Sequence, residues 1–299
     1  MQFDDDASLD TSQVEDRRSG GPSGGRPRGK LAGGGLAGLI VLVIGLVFGI
    51  SPDRLGLSDP PEQAPDSASG PDLAAGCRTG ADAGTRRDCR MVGVINNVQA
   101  YWTSEFRDRG MTYEPARTVF FDRPIRTACG VADPESGPFY CPVDRKVYLD
   151  LDFFSTLTDR FGARGGPFAE SYVVAHEYGH HVQNLTGTLG KAQDRLTGPG
   201  SDSVRVELQA DCFAGVWAHN ATRTLDEDTG SPMISALDEE DIRRGLDAAA
   251  AVGDDAIQSR TQGRVAPEAW THGSSAQRQQ WFTTGLSAGD PGDCDTFGR

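Results

Sequence analysis

An α+β domain, mainly helical with a small sheet and preceded by one transmembrane helix, is predicted by three features of the sequence. Lys146-Val-Tyr-Leu-Asp-Leu-Asp152 alternates apolar and acidic residues, which is strand periodicity. Stretches such as 91–109 and 201–219 place apolar residues at helical spacing. Residues 31–50 form an apolar run without a single charge. The chain has 299 residues, enough for one sizeable domain with appendages, and its 37% hydrophobic and 24% charged residues suit a soluble domain. A net charge of −14 argues against nucleic acid as a partner, because phosphate binding needs Lys and Arg.

Residues 1–30 read as a disordered tail: an acidic opening, then a Gly/Pro-rich stretch that ends in Arg26, Arg28 and Lys30. Residues 31–50 are long enough to cross a bilayer as a helix. The basic cluster precedes this run, and only Arg54 follows it closely, which predicts a cytoplasmic N-terminus and an extracytoplasmic remainder. A cleavable signal peptide is the rival reading. Its apolar region is normally shorter, and no small-x-small site follows Ile50, so an uncleaved membrane anchor is expected. Gly45 and Gly49 form a G-x-x-x-G pair of the kind that packs two such helices together. Residues 51–76, rich in Pro, Ser, Asp and Ala, read as a flexible linker.

The folded domain is expected over 77–299. Val94, Val98, Tyr101, Trp102 and Phe106 give residues 91–109 a helical stripe. Arg117–Asp122 reads as a strand, 146–152 as a second, and 153–161 as a helix. An edge strand in such a domain can pair with an extended peptide substrate. Pro167 fits a first helical turn, Glu170 suits the helix dipole there, and Gly187 is a plausible stop for a helix between them. Further helices are expected over 201–219, capped by Ser201, Asp202 or Ser203, over 238–252, and over 273–285.

The helix between Pro167 and Gly187 carries His176-Glu177-Tyr178-Gly179-His180, an H-E-x-x-H match. Residues four apart lie on one helix face, so His176 and His180 aim both imidazoles at one point, as two zinc ligands must. Glu177 sits one step round, able to reach a metal-bound water without binding the metal. His181 points elsewhere and reads as a flanking or second-shell group. Gly179 should weaken the helix unless a small residue is needed for another segment to approach. A polar helix with two accidental histidines is the bland alternative.

Zinc needs a third protein ligand. Three and six residues beyond His180, where the metzincin pattern requires Gly and His, stand Gln183 and Thr186, so that pattern fails. Glu207, on the helix after the next loop, supplies a carboxylate. Asp211, one turn on, is placed to accept the free N–H of a ligand histidine. The competing reading makes Glu207 and Asp211 a solvated helix face.

With these residues the chain resembles the putative neutral zinc metallopeptidase family of bacterial membrane-anchored proteins, of gluzincin type. The matching stretches are FYCPVDRKVYLDLDFF (139–154), SYVVAHEYGHHVQN (171–184), VELQADCFAGVWA (206–218), THGSSAQRQQWF (271–282) and SAGDPGDCDTF (287–297). The resemblance implies Zn2+ at His176, His180 and Glu207, Glu177 as the base, and a zincin-like fold. It implies a zinc metallopeptidase that hydrolyses peptide bonds of a protein or peptide substrate by Glu-assisted attack of a zinc-bound water. An oxyanion donor is also needed. His272 is the candidate, in the Gly/Ser turn after Trp270, with Tyr178 and His219 as rivals and an ordinary surface turn as the bland reading. A membrane-anchored binding or adaptor protein with a vestigial zinc site is the alternative function; the intact ligand and base set favours the enzyme.

The six cysteines suit export. Cys129 and Cys141 bracket a Gly/Pro-rich loop, Cys77 and Cys89 are close, and Cys212 and Cys294 remain. Fifteen connectivities are possible, and this pairing is the expected one. A Cys-based zinc site is disfavoured because no C-x-x-C spacing occurs.

Overall fold

In a computed structural model, which describes residues 1–18, 72–194, 196–226 and 228–298, the N-terminal stretch is part of the fold. Strand β1 (Gln2–Phe3) pairs antiparallel with β8 (Ile234–Ala236), and β2 (Val14–Asp16) pairs in parallel with β3 (Arg117–Phe121). Two short helices, α1 (Leu73–Gly76) and α2 (Gly80–Thr85), lead into the long helix α3 (Arg87–Asp108). Phe3, Ala7, Leu9 and Val14 are buried against this region. A Cβ at Gly93 of α3 would lie 2.6 Å from the Phe3 ring, so the glycine makes room for the strap. The strap is also tied by polar contacts: the Asn96 amide exchanges two 2.9 Å hydrogen bonds with the Asp10 backbone, and Gln99 Nε2 donates to Gln13 at 2.6 Å.

This corrects the expectation of a disordered tail for residues 1–18. The alternation of Val14 with acids was too short to register as a strand, since two- and three-residue strands are defined by their partners rather than by their own pattern. Residues 1–18 pack against residues 72–298, through the β1–β8 and β2–β3 pairings and the shared core. Residues 31–50 themselves, the rest of the tail and the linker up to residue 71 lie outside the described residues. Among the described residues no helix is long and apolar enough to cross a membrane. After the residues that are not described, the fold resumes slightly ahead of residue 77, at α1.

A four-stranded sheet has the order β2-β3-β7-β6, where β6 is Phe139–Cys141 and β7 is Lys146–Asp150. β7 runs parallel to β3, and β6 antiparallel to β7. Successive side chains face opposite ways. Phe120, Tyr140, Val147 and Leu149 therefore join the main helical core, while Val119, Phe121, Phe139 and Tyr148 form a second, smaller core. The hairpin β4 (Ile125–Thr127) and β5 (Gly130–Ala132) covers that second face, held by the Cys129–Cys141 bond.

The remaining helices are α4 (Phe153–Asp159), α5 (Pro167–Leu185), α6 (Asp202–Asn220), α7 (Glu239–Ala251), α8 (Asp254–Gln262) and α9 (Ser275–Ala288). The mixed α+β class is as expected. α8 was not anticipated; its DDAIQSRTQ sequence has a single large apolar residue, Ile257, so no stripe announces it. The caps follow the sequence: Pro167 opens α5, the Ser201 side chain accepts from Val204 N, and Asp238 and Ser274 form capping boxes with Asp241 and Gln277.

α5 runs through the centre of the domain, with every residue from Phe168 to Gln183 buried. α6 crosses it closely at Gly179, where a Cβ would stand 3.0 Å from the Ala210 Cα and carbonyl oxygen. The helix-weakening glycine is thus the point of approach. α9 packs along the other side of α6, with Gly285 so close that a Cβ would meet the Cys212 carbonyl at 1.9 Å. The Cys212–Cys294 bond ties the C-terminal segment to α6, and Cys77–Cys89 joins the chain after α1 to α3, so all three expected disulfides are present.

Candidate metal site

The close approach of α5 and α6 brings three ligand-type side chains together. His176 and His180 lie one turn apart on α5, with ring centroids 4.8 Å apart. From α6, Glu207 Oε2 lies 3.2 Å from His176 Nε2 and Oε1 lies 3.5 Å from His180 Nε2. Ligand atoms from all three residues lie within 4.8 Å of one another, and all three residues are buried. Two imidazoles and a carboxylate converging from two rigid helices match the donor set of a catalytic zinc site with one position left open.

The outward nitrogens are held. His176 Nδ1 is 2.9 Å from Asp211 Oδ1, and His180 Nδ1 is 2.9 Å from Gln183 Oε1. When both rings are neutral, donation from the two Nδ1 atoms directs both Nε2 lone pairs towards Glu207. Gln183 is itself fixed, donating to the Val206 carbonyl at 2.7 Å. Asp211 is fully buried and receives Arg278 of α9 in a fork, Nε to Oδ2 at 2.8 Å and Nη2 to Oδ1 at 3.0 Å, together with the Tyr172 hydroxyl. Burial works against the Asp211 charge, but Arg278 and His176 hold its pKa below the ordinary carboxylate value. Burial likewise opposes ionised Glu207, and His180, His272 and His176 outweigh it, holding its pKa well down. For His176 burial favours the neutral ring, yet Asp211 and Glu207 push its pKa up to about 9.

A cavity of about 120 Å³ opens beside the cluster, lined by His176, Glu177, His180, Glu207, His272 and Arg278 together with apolar side chains. Burial raises the Glu177 pKa, while His176 and His180 pull it back. His272 is held by Asp254, the first residue of α8. One Asp254 oxygen accepts the N–H groups of Thr271, His272 and Gly273 at 2.7, 2.7 and 3.0 Å, and the other lies 3.5 Å from His272 Nδ1. Burial lowers the His272 pKa, but Glu207 and Asp254 raise it on balance.

The structure therefore places His176, Glu177, His180, Glu207 and His272 around one cavity, with Asp211 directly behind His176. The two rivals of His272 are not among the residues lining it. The Tyr178 hydroxyl pairs with Thr118 Oγ1 at 2.9 Å, under the sheet, and His219 Nδ1 with the Leu286 carbonyl at 2.7 Å. His181 is not a second-shell group. Its Nδ1 lies 3.0 Å from the Tyr140 hydroxyl and its Nε2 2.7 Å from the Glu114 carbonyl, tying α5 to the sheet side of the core. Cys77, Asp88 and Cys89 also cluster, but the two sulfurs are bonded to each other and offer no thiolate.

Four residues of this network carried no expectation: Tyr172, Gln183, Asp254 and Arg278. Tyr172 and Gln183 stand four residues before His176 and three after His180, on the ligand face, so helical spacing alone marks them. Arg278 is 67 positions from Asp211, and Asp254 is 18 positions from His272, across α8 and the loop after it, so no local pattern links either pair.

A sequence model of the family described as "Putative neutral zinc metallopeptidase" matches residues 4–297, a span that includes most of the N-terminal strap. Uncharacterized proteins of Mycobacterium tuberculosis and Mycobacterium bovis are each 50% identical over 252 residues, 84% of either chain. The uncharacterized protein YpfJ of Escherichia coli K12 is 40% identical over 309 aligned positions, 97% of both chains. No solved structure matches the chain.

Proposed function

Since the chain belongs to the putative neutral zinc metallopeptidase family, we propose that it is a zinc-dependent endopeptidase of zincin-like architecture, with Glu177 as its general base. The observation that carries this reading is the convergence of His176, His180 and Glu207 on one point at the wall of a cavity that Glu177 also lines. Zinc bound there would lower the pKa of a water to about 7 and polarise a carbonyl.

The chain's own groups supply the rest. Glu177, which lines the cavity beside the ligand cluster, accepts the proton of the attacking water and returns it to the leaving amine. His272, fixed by Asp254, donates to the oxygen on which charge develops. Asp211 and Gln183 keep the two imidazoles in orientation, and Arg278 keeps Asp211 ionised and in place.

We further propose that residues 31–50 attach the protein to a membrane and that the catalytic domain lies on its extracytoplasmic side. The three disulfides support an oxidising compartment, and the docked strap requires the N-terminus to share it. The enzymatic reading is tested by digestion of casein and of a peptide library with zinc-loaded protein, beside Glu177→Gln. Cleavage that disappears in the variant at unchanged zinc content supports it. Equal turnover by the two proteins would remove Glu177 from the mechanism, and absence of turnover in both would favour an adaptor with a vestigial site.

A further inference from the structure

We propose that the apolar wall of the cavity is a subsite for one medium-to-large apolar side chain, that of Leu, Met or Phe, next to the scissile bond of a peptide substrate. This rests on the peptidase reading and adds a substrate class to it.

The cavity lining is of two kinds. Its polar part is the metal-ligand cluster with Glu177, His272, Arg278, Ser136 and Tyr172. Its apolar part is Pro138, Phe153, Phe161, Val173, Val252 and Ile257. These come from the loop before β6, from α4 and the turn after it, from α5, and from the junction of α7 with α8. Val173 stands three residues before His176 on α5, so the apolar wall begins one helical turn from a ligand imidazole. Phe161, Val173 and Ile257 are nearly buried yet line open space. A group seated there would contact the wall while its neighbouring backbone reached the cluster.

Charge decides what that group is. None of the six wall residues carries a charge or a hydrogen-bonding side chain. Arg278, the nearby cation, is already engaged by both oxygens of Asp211 and by the Tyr172 hydroxyl, so it is not free to pair with an acidic substrate side chain. A charged side chain in this space would lose its hydration without gaining a partner. Size decides the rest. The whole cavity, its polar part included, measures about 120 Å³, below the roughly 150 Å³ of a dry cavity that accepts benzene. A branched aliphatic chain or a single ring is therefore the upper limit for the apolar part, and an indole exceeds it.

The test is equilibrium binding, which does not depend on turnover. Acetylated, amidated tetrapeptides Ala-Ala-X-Ala, with X as Leu, Phe, Ala, Asp or Lys, are titrated calorimetrically into full-length Glu177→Gln loaded with zinc. Burying three or four additional methylene equivalents predicts that the Leu and Phe peptides bind roughly fiftyfold to two-hundredfold more tightly than the Ala peptide. The Asp and Lys peptides should bind no better than Ala. Filling the space with Ile257→Trp, or with Val252→Phe should the first variant misfold, should erase the Leu and Phe advantage without changing zinc content. Equal affinity across the series, or tightest binding of a charged peptide, would overturn the subsite. If the native protein cleaves peptides without the apolar preference, the subsite is wrong and the peptidase reading stands. If the binding preference is present but the native protein cleaves nothing, the peptidase reading fails and the apolar subsite stands.

Discussion

Asp211 Oδ1 lies 2.9 Å from His176 Nδ1 while both oxygens of the same carboxylate are gripped by Arg278. One buried acid thus links the ligand helix α5, its own helix α6 and the C-terminal helix α9. The three must be assembled before the ligand imidazole is oriented, so site geometry and tertiary folding are coupled.

Removing either partner should expose that coupling. Asp211→Asn should weaken zinc binding by about 10–100-fold without abolishing it, because the negative charge behind His176 is lost while all ligands remain. Arg278→Met should be worse for the fold, since it strands a buried carboxylate at a cost of about 3–5 kcal/mol. Chemical denaturation of metal-free protein, with zinc affinity measured by chelator competition, separates the two effects. Similar stability of Arg278→Met and the parent protein would show that Asp211 does not depend on the arginine.

Zinc affinity should depend on pH with a definite sign. In metal-free protein His176 holds its proton up to about 9, above the ordinary 6.5, because Asp211 and Glu207 outweigh burial. Zinc requires the neutral ring, so at pH 7 it must expel that proton. Affinity should rise about tenfold per pH unit from this group towards pH 9 and then level off. The metal-free fold has the opposite dependence: the stability from this shift is complete below 6.5 and is lost as pH rises through about 9. Flat zinc affinity between pH 6.5 and 9 would contradict the assignment.

The Cys212–Cys294 bond closes a loop with a sequence separation of 82 and anchors the segment that follows α9 beside Asp211. On loop-entropy grounds, replacing both cysteines with Ala should cost about 4–5 kcal/mol. The change should appear as a lowered denaturation midpoint in protein isolated oxidised. An unchanged midpoint would mean that the unfolded chain is not restrained by this bond.

The strap makes a prediction about compartments. Since β2 pairs with β3 in the sheet, compartment-specific reporters fused ahead of residue 1 and after residue 299 should report the same side. Opposite readings would show that the strap is not docked in the membrane-associated protein.

How much of this was legible in the sequence follows the range of the interactions. The ligand histidines, Glu177 and the capping residues obey helical spacing and end chemistry, and these are local rules. Gly179 hinted at a close approach, and the structure identifies the neighbour as Ala210. Arg278 and Asp254 act across folded distance and left no local trace. The strap failed for a related reason: Phe3, Leu9 and Val14 find their apolar surroundings on α3 and the sheet, far along the chain, so a short polar-looking tail concealed an integral part of the core.

The central claim is that α5 and α6 meet at one metal, and the zinc content of purified Glu207→Ala tests it most directly. The account predicts that the parent protein carries one zinc and that Glu207→Ala, folded and with its disulfides intact, loses it even at micromolar supply, because two imidazoles alone hold the ion weakly. Full zinc occupancy in Glu207→Ala would contradict the account, placing the third ligand elsewhere and ending the gluzincin assignment.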